Sequence, residues 1–242
     1  MSGARNTRFL LIGAGGLGGP LAYALASADA KELLLCDHDH VELSNLHRQV
    51  QFATEDVTRP KVEALADELV RRGYPRDRIQ LVAERFSTQN APALLERCDV
   101  VIDGSDDFAT KFLTNDQANA SSTPYVIASV VQYTGQVLAA RPGSSAACYR
   151  CLFEAPPQDE DATSCADAGV LGPAVAIIAS HAARAALAFA AARDRTDAGT
   201  CALLVFDDLR VSPWPRAVPF NRRATCSAHL KHPAPTPQQD AV

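Results

Sequence analysis

The residues that could do chemistry gather early in the chain. Residues 37 to 49 read DHDHVELSNLHRQ: two acids two apart, Asp37 and Asp39, then Asn45, Arg48 and Gln49. Lys61 follows at the head of an amphipathic segment, and another acid, Asp106, stands in DGSDD. Ahead of all of them, LLIGAGGLGG places Gly13, Gly15 and Gly18 in G-x-G-x-x-G spacing, with Gly16 between. Glycines in that pattern allow a tight turn and let a phosphate approach the free N–H groups at a helix N-terminus. Asp37 lies about 20 residues further on, where an acid can hold ribose hydroxyls. A dinucleotide has no use for a cationic cluster beside that acid. A triphosphate has, because Arg48 and Lys61 can neutralise its charge, including charge that develops as a phosphoryl bond breaks. Asp106 could hold Mg²⁺, with its waters bridging phosphates. Asp39 fits a ligand or a turn residue equally, and Asp103 and Asp107 fit caps.

A second constellation is built from sulfur. Cys148 and Cys151 form C-x-x-C, a spacing that suits a metal or a redox pair. Far downstream, CSAH offers Cys226 and His229, again with two residues between. Together they make a Cys₃His set suited to tetrahedral Zn²⁺, with His232 a rival for the fourth place. Four protein ligands leave no open position, so such a site is structural. Cys36, Cys98 and Cys201 sit in apolar runs and read as core thiols; Cys165 stands in TSCADAGV, after an acidic loop.

The elements that must position these groups alternate. RFLLIG, KELLLCD, RIQLVAERF, DVVIDGSD and PYVIASVV read as buried strands. Between them GGPLAYALASAD, TRPKVEALADELVRRG, APALLERC and DFATKFLTNDQANASS read as helices. That alternation predicts an α/β fold, a Rossmann-like, doubly wound and mainly parallel sheet, whose strand ends converge on one crevice. From about Thr134 the pattern changes. GQVLAARPG suggests an edge or antiparallel strand, residues 148 to 165 a Pro-rich acidic loop, then an Ala-rich buried helix and the strand CALLVFDDL. PAPTPQQDAV, residues 233 to 242, has the composition of a disordered tail.

The chain has 242 residues, 47% hydrophobic, with net charge -5 and pI about 5.7. That balance supports a sizeable core and argues against a nucleic-acid binder. No run approaches the ~20 apolar residues of a membrane span, and the N-terminus lacks a signal-peptide pattern. Seven cysteines, an odd number, suit a reduced, cytoplasmic protein.

In order, GAGGLGG, DHDHVELSNLHRQ, RPK, DGSDD, CYRC and TSCADAGVLGP resemble the MoeB/ThiF family, relatives of the ubiquitin-activating enzymes, from about Arg8 to His229. The resemblance implies one adenylation domain over 1–232, with a nucleotide-binding half at 8–133 and a crossover loop and C-terminal half at 134–232, the C-terminal region stapled by zinc. It implies adenylation, with ATP and Mg²⁺, of the C-terminal Gly of a ubiquitin-fold sulfur-carrier protein, releasing pyrophosphate. Asp37 would then contact ribose, Asn45, Arg48 and Lys61 the phosphates with Gln49 beside them, and Asp106 the Mg²⁺. Cys165 would be a thiol for covalent links to the carrier. A homodimer, and a separate sulfur donor protein, are also implied. Dimeric members carry an N-terminal arginine that reaches the partner's ATP; the candidates here are Arg5 and Arg8, of which Arg8 reads as the strand entrance. The rival readings are a partner-dependent ATP-binding subunit of the same fold and an NAD-linked oxidoreductase, the latter leaving the cations and the Cys₃His set without a use.

Overall fold

The computed structural model describes residues 3–143, 145–156, 169–192 and 199–230. Cys165, His232 and the 233–242 segment lie outside them. The strands among the described residues form one eight-stranded sheet. They are β1 (Arg8–Ile12), β2 (Glu32–Cys36), β3 (Ile79–Val82), β4 (Val100–Asp103), β5 (Tyr125–Val131), β6 (Thr134–Arg141), β7 (Thr200–Phe206) and β8 (Arg216–Val218), in the order β3-β2-β1-β4-β5-β6-β7-β8. The first five are parallel and the last three add antiparallel. The parallel strands read as continuous apolar runs because both faces are covered.

Alternate residues feed two cores. Phe9, Leu11, Leu33, Leu35, Val100 and Ile102 face the helices α1 (Gly18–Ser27), α2 (Lys61–Arg71) and a long later helix. Leu10, Ile12, Leu34, Val101, Tyr125 and Ile127 face α3 (Ala91–Glu96) and α4 (Phe108–Ala120). Two one-turn helices, α5 (Tyr149–Leu152) and α7 (Ser227–Leu230), bracket the long helix, α6 (Gly172–Ala191), in the chain. By length and composition α6 could cross a membrane. Instead it packs on β5, β6 and α1, with Ala174, Val175, Ile178, Ala182 and Ala186 buried. Gly135 of β6 allows that close approach: a Cβ there would stand 2.4 Å from Ile178 Cδ1.

Some elements depart from the sequence expectation. β3 stops at Val82, because β2 ends at its partner Cys36; residues 83–86 then turn toward the strand ends. A one-turn helix, α5, forms inside the expected loop at 148–165, whereas β6 is antiparallel as expected, with β7 on its far side. β8, three residues pairing with Leu203–Val205, is too short to show alternation and was unread in the sequence.

Candidate functional site

The strand order reverses at β1, which lies between β2 and β4. Ligands of open α/β sheets bind in the crevice at such a point. Here the turns after β1, β2 and β4 enclose a cleft of about 340 Å³. Gly13, Gly15, Gly16, Asp37, Asp39, Asn45, Arg48, Gln49, Lys61 and Asp106 all line it, so ten of the eleven residues expected to meet a nucleotide are brought together. The eleventh, Gly18, has a different place. A Cβ there would lie 2.0 Å from the Gly13 carbonyl oxygen, so this glycine lets α1 start against β1. Gly13 itself has φ +88°, which favours glycine.

The glycine turn is held by groups around it. Asp37 accepts from the Ala14 N–H at 2.7 Å and from the Asp39 N–H at 2.8 Å. Gln51 Nε2 donates to the carbonyls of Ala14 and Gly15, both at 2.9 Å. Gln49 is buried, and its Oε1 has no partner among the described residues. A buried acceptor left open beside a glycine turn fits a ligand that donates.

The cations differ in readiness. Lys61 is buried and donates to Asp39 Oδ2 at 2.9 Å. Burial disfavours the Asp39 carboxylate, but the Lys61 hydrogen bond and charge outweigh it and hold the group below the usual range. So Asp39 serves as both turn and counter-ion to Lys61. Arg48 makes no ion pair with a described carboxylate; its Nη1 meets His47 Nε2 at 3.4 Å. Asp106 is exposed and makes no hydrogen bond or ion pair with a described residue. Asp107 caps α4, accepting from Ala109 and Thr110. Asp103 does not cap a helix; it bonds the turn after β4. Arg5 is outside the cleft lining and pairs with Asp29 at 2.9 Å.

Two residues escaped the sequence reading. Arg85 spans the mouth of the cleft, 2.8 Å from His38 Nε2 and 3.7 Å from Asp107 Oδ2. It follows the shortened β3, so strand periodicity hid it. Lys111 lies within α4, 2% exposed, at the cleft floor. Its signal was a charge at 111 sharing the i, i+4, i+7 face with Asn115 and Ala118.

The sulfur set also assembles. α5 supplies Cys151 and its cap Cys148; α7 and its preceding residue supply His229 and Cys226. The Cys148 sulfur lies 3.8 Å from that of Cys151 and 3.7 Å from that of Cys226; Cys151 Sγ lies 3.4 Å from His229 Nε2. Zn–S bonds of ~2.3 Å at tetrahedral angles put sulfurs about 3.8 Å apart, so the four donors fit a zinc ion. Burial disfavours the Cys151 thiolate, yet the backbone N–H of Arg223, donating to Cys151 Sγ at 3.4 Å, helps pull that thiol below its ordinary value. Cys36 and Cys98 are buried in the core, and Cys201 is partly buried.

A model of the ThiF family matches residues 1–228. The chain belongs to the ThiF family. Among its relatives is a protein of Thermus thermophilus named sulfur carrier protein adenylyltransferase. It is 37% identical over 86% of this chain and 77% of its own length. The sulfur carrier protein ThiS adenylyltransferase of Escherichia coli is 35% identical, over 91% of this chain and 85% of its own. The adenylyltransferase and sulfurtransferase MOCS3 of Caenorhabditis briggsae is 37% identical over 84% of this chain, but the match spans only 50% of MOCS3. Among solved structures, E. coli MccB superposes with a TM-score of 0.77 at 19% identity, covering 94% of this chain and 68% of that one. That likeness establishes a ThiF-type fold.

Proposed function

We propose that this ThiF-family chain adenylates the C-terminal Gly carboxylate of a ubiquitin-fold sulfur-carrier protein, using ATP and Mg²⁺ and releasing pyrophosphate. The observation that carries the reading is the meeting of Arg48, Lys61 and Asp106 around one glycine turn. Relatives named as sulfur-carrier adenylyltransferases support it. Asp37 would hold ribose; Arg48, Lys61 and Asn45 the phosphates, with Gln49 beside them; Asp106 the Mg²⁺. When bound, Mg²⁺ would offset phosphate charge.

A carboxylate oxygen of the carrier attacks the α-phosphorus. The new O–P bond forms as the bond to the β-phosphate bridge breaks, and pyrophosphate leaves with that electron pair. The attacking group is already ionised near pH 7, so the chemistry requires no general base. Two anions must be brought together; fixed cations offset their repulsion and positioning supplies much of the rate. Cys148, Cys151, Cys226 and His229 would hold a structural zinc. We further infer one adenylation domain over 1–232, a homodimer, a separate sulfur donor, and Cys165 as the thiol for any covalent link to the carrier.

The test is exchange of radiolabelled pyrophosphate into ATP, with carriers ending in Gly-Gly. Carrier-dependent exchange that falls by at least about 10²-fold in Asp106→Ala is expected. ATP binding without exchange for any carrier would point instead to a partner-dependent ATP-binding subunit.

A further inference from the structure

Behind the Asp106 turn lies a buried charge pair that the proposed chemistry does not use. Lys111 Nζ donates to the Ser105 carbonyl at 2.6 Å and the Ala128 carbonyl at 2.9 Å, and lies 3.7 Å from Asp103 Oδ1. Asp103 is fully buried. Its Oδ1 accepts from Ser105 N at 2.9 Å and Ser105 Oγ at 2.6 Å, while Oδ2 has no partner among the described residues. One ammonium thus ties the end of β4, the turn after it, and β5. Two charges out of water are expensive, and apolar side chains of similar volume often serve stability as well. Something other than packing keeps them there.

The turn shows what it is. Ser105 is held at its N–H by Asp103 and at its carbonyl by Lys111. Asp107 is fixed as the cap of α4. Asp106, between them, has an exposed side chain with no bond of its own to a described residue. The backbone on either side therefore sets where that carboxylate points.

We infer that Lys111 is a positioning residue for the adenylation site: clamped between the Ser105 and Ala128 carbonyls and balanced by Asp103, it fixes the turn that presents Asp106 to the metal–triphosphate. The inference rests on the proposed role of Asp106. Without the clamp, the carboxylate must be ordered as the metal binds, so more Mg²⁺ is required. A misplacement of about 1 Å at such a site can cost about 10²-fold in rate.

Lys111→Met alone strands the Asp103 charge and destabilises the fold. The decisive variant is Lys111→Met with Asp103→Asn. It removes both charges, keeps an amide oxygen for the Ser105 N–H, and frees the Ser105 carbonyl. Calorimetric ATP binding across a Mg²⁺ titration is combined with carrier-dependent pyrophosphate exchange. The expected result is a folded double variant whose half-saturating Mg²⁺ rises about tenfold or more and whose kcat falls about 10²-fold, with KM for the carrier nearly unchanged. Lys111→Arg, which keeps charge and donors, is expected to recover most of the wild-type Mg²⁺ dependence. Wild-type Mg²⁺ dependence and kcat in the double variant, a loss confined to carrier KM, or an arginine variant no better than the double variant would each overturn the role of Lys111. Wild-type protein that binds no ATP at any Mg²⁺ concentration would overturn the reading of the site itself, a separate failure.

Discussion

Asp39 and Lys61 hold each other before a ligand arrives, so a triphosphate must share Lys61 with an acid, whereas Arg48 is free of any described carboxylate. This pair gives a pH prediction with a definite sign. The folded-state pKa of Asp39 is depressed, so its contribution to stability is present above the unfolded value of about 3.9 and is lost as pH falls through the folded one. Its carboxylate is half exposed, which keeps the contribution small. Asp39→Asn should be less stable than wild type in urea at neutral pH, and the gap should close only as the pH falls below the ordinary carboxylate value of about 3.9. A gap that stays constant would mean the asparagine acts through the turn and not through charge. Gly18 gives a second residue-scale prediction. With the Gly13 oxygen 2.0 Å from its would-be Cβ, Gly18→Ala must push α1 off β1. It should lose about 1–3 kcal/mol in urea unfolding and weaken ATP binding, since the helix N-terminus moves with it. Unchanged unfolding would show that the turn has slack.

At the scale of elements, two one-turn helices far apart in sequence face each other through four donor atoms. Neither α5 nor α7 is long enough to be stable alone. Zinc would supply the missing energy by linking them. Purified protein should carry about one zinc per chain. Cys226→Ser or prolonged chelation should lower Tm by at least about 5 °C and make the segment after β7 the first to be cut by protease. Metal-free protein with the same Tm and the same cleavage pattern would remove the staple from the account. The helix α4 carries both Lys111 and the Asp107 cap and so holds the Asp106 turn from one side.

For the whole molecule, the sheet divides its work. The parallel strands bring the glycine turn, Asp37 and Asp106 to one crevice; the antiparallel β7 packs its Cys201 against the Cys₃His set. β8 closes the open edge of β7 with three residues. Arg216 on it and the prolines of PWPRAVP make a poor template for further pairing. A chain cut just after β7 would lose β8, Cys226 and His229 together and expose the apolar β7 edge. It should appear mainly in the insoluble fraction, with the remainder larger than monomer by light scattering; a soluble product of unchanged size would show that the edge needs no cover.

The residue types that line the cleft and the kind of sheet were legible along the chain. Glycine spacing, the acid after the second strand and the charge of DHDHVELSNLHRQ are local facts, and local facts survive without coordinates. The strand and helix order came from apolar runs, which burial on both faces makes nearly continuous. What depends on partners distant in the chain came from the packing. β3 ends early because β2 does. Gly18 serves packing because the Gly13 carbonyl stands over it. Lys111 is buried where Asp103, Ser105 and Ala128 converge on its ammonium, and His229 joins the cysteines with its Nε2 3.4 Å from Cys151 Sγ. A side chain's type fixes which chemistry it can offer; which neighbours it meets is fixed by the packing of the whole chain.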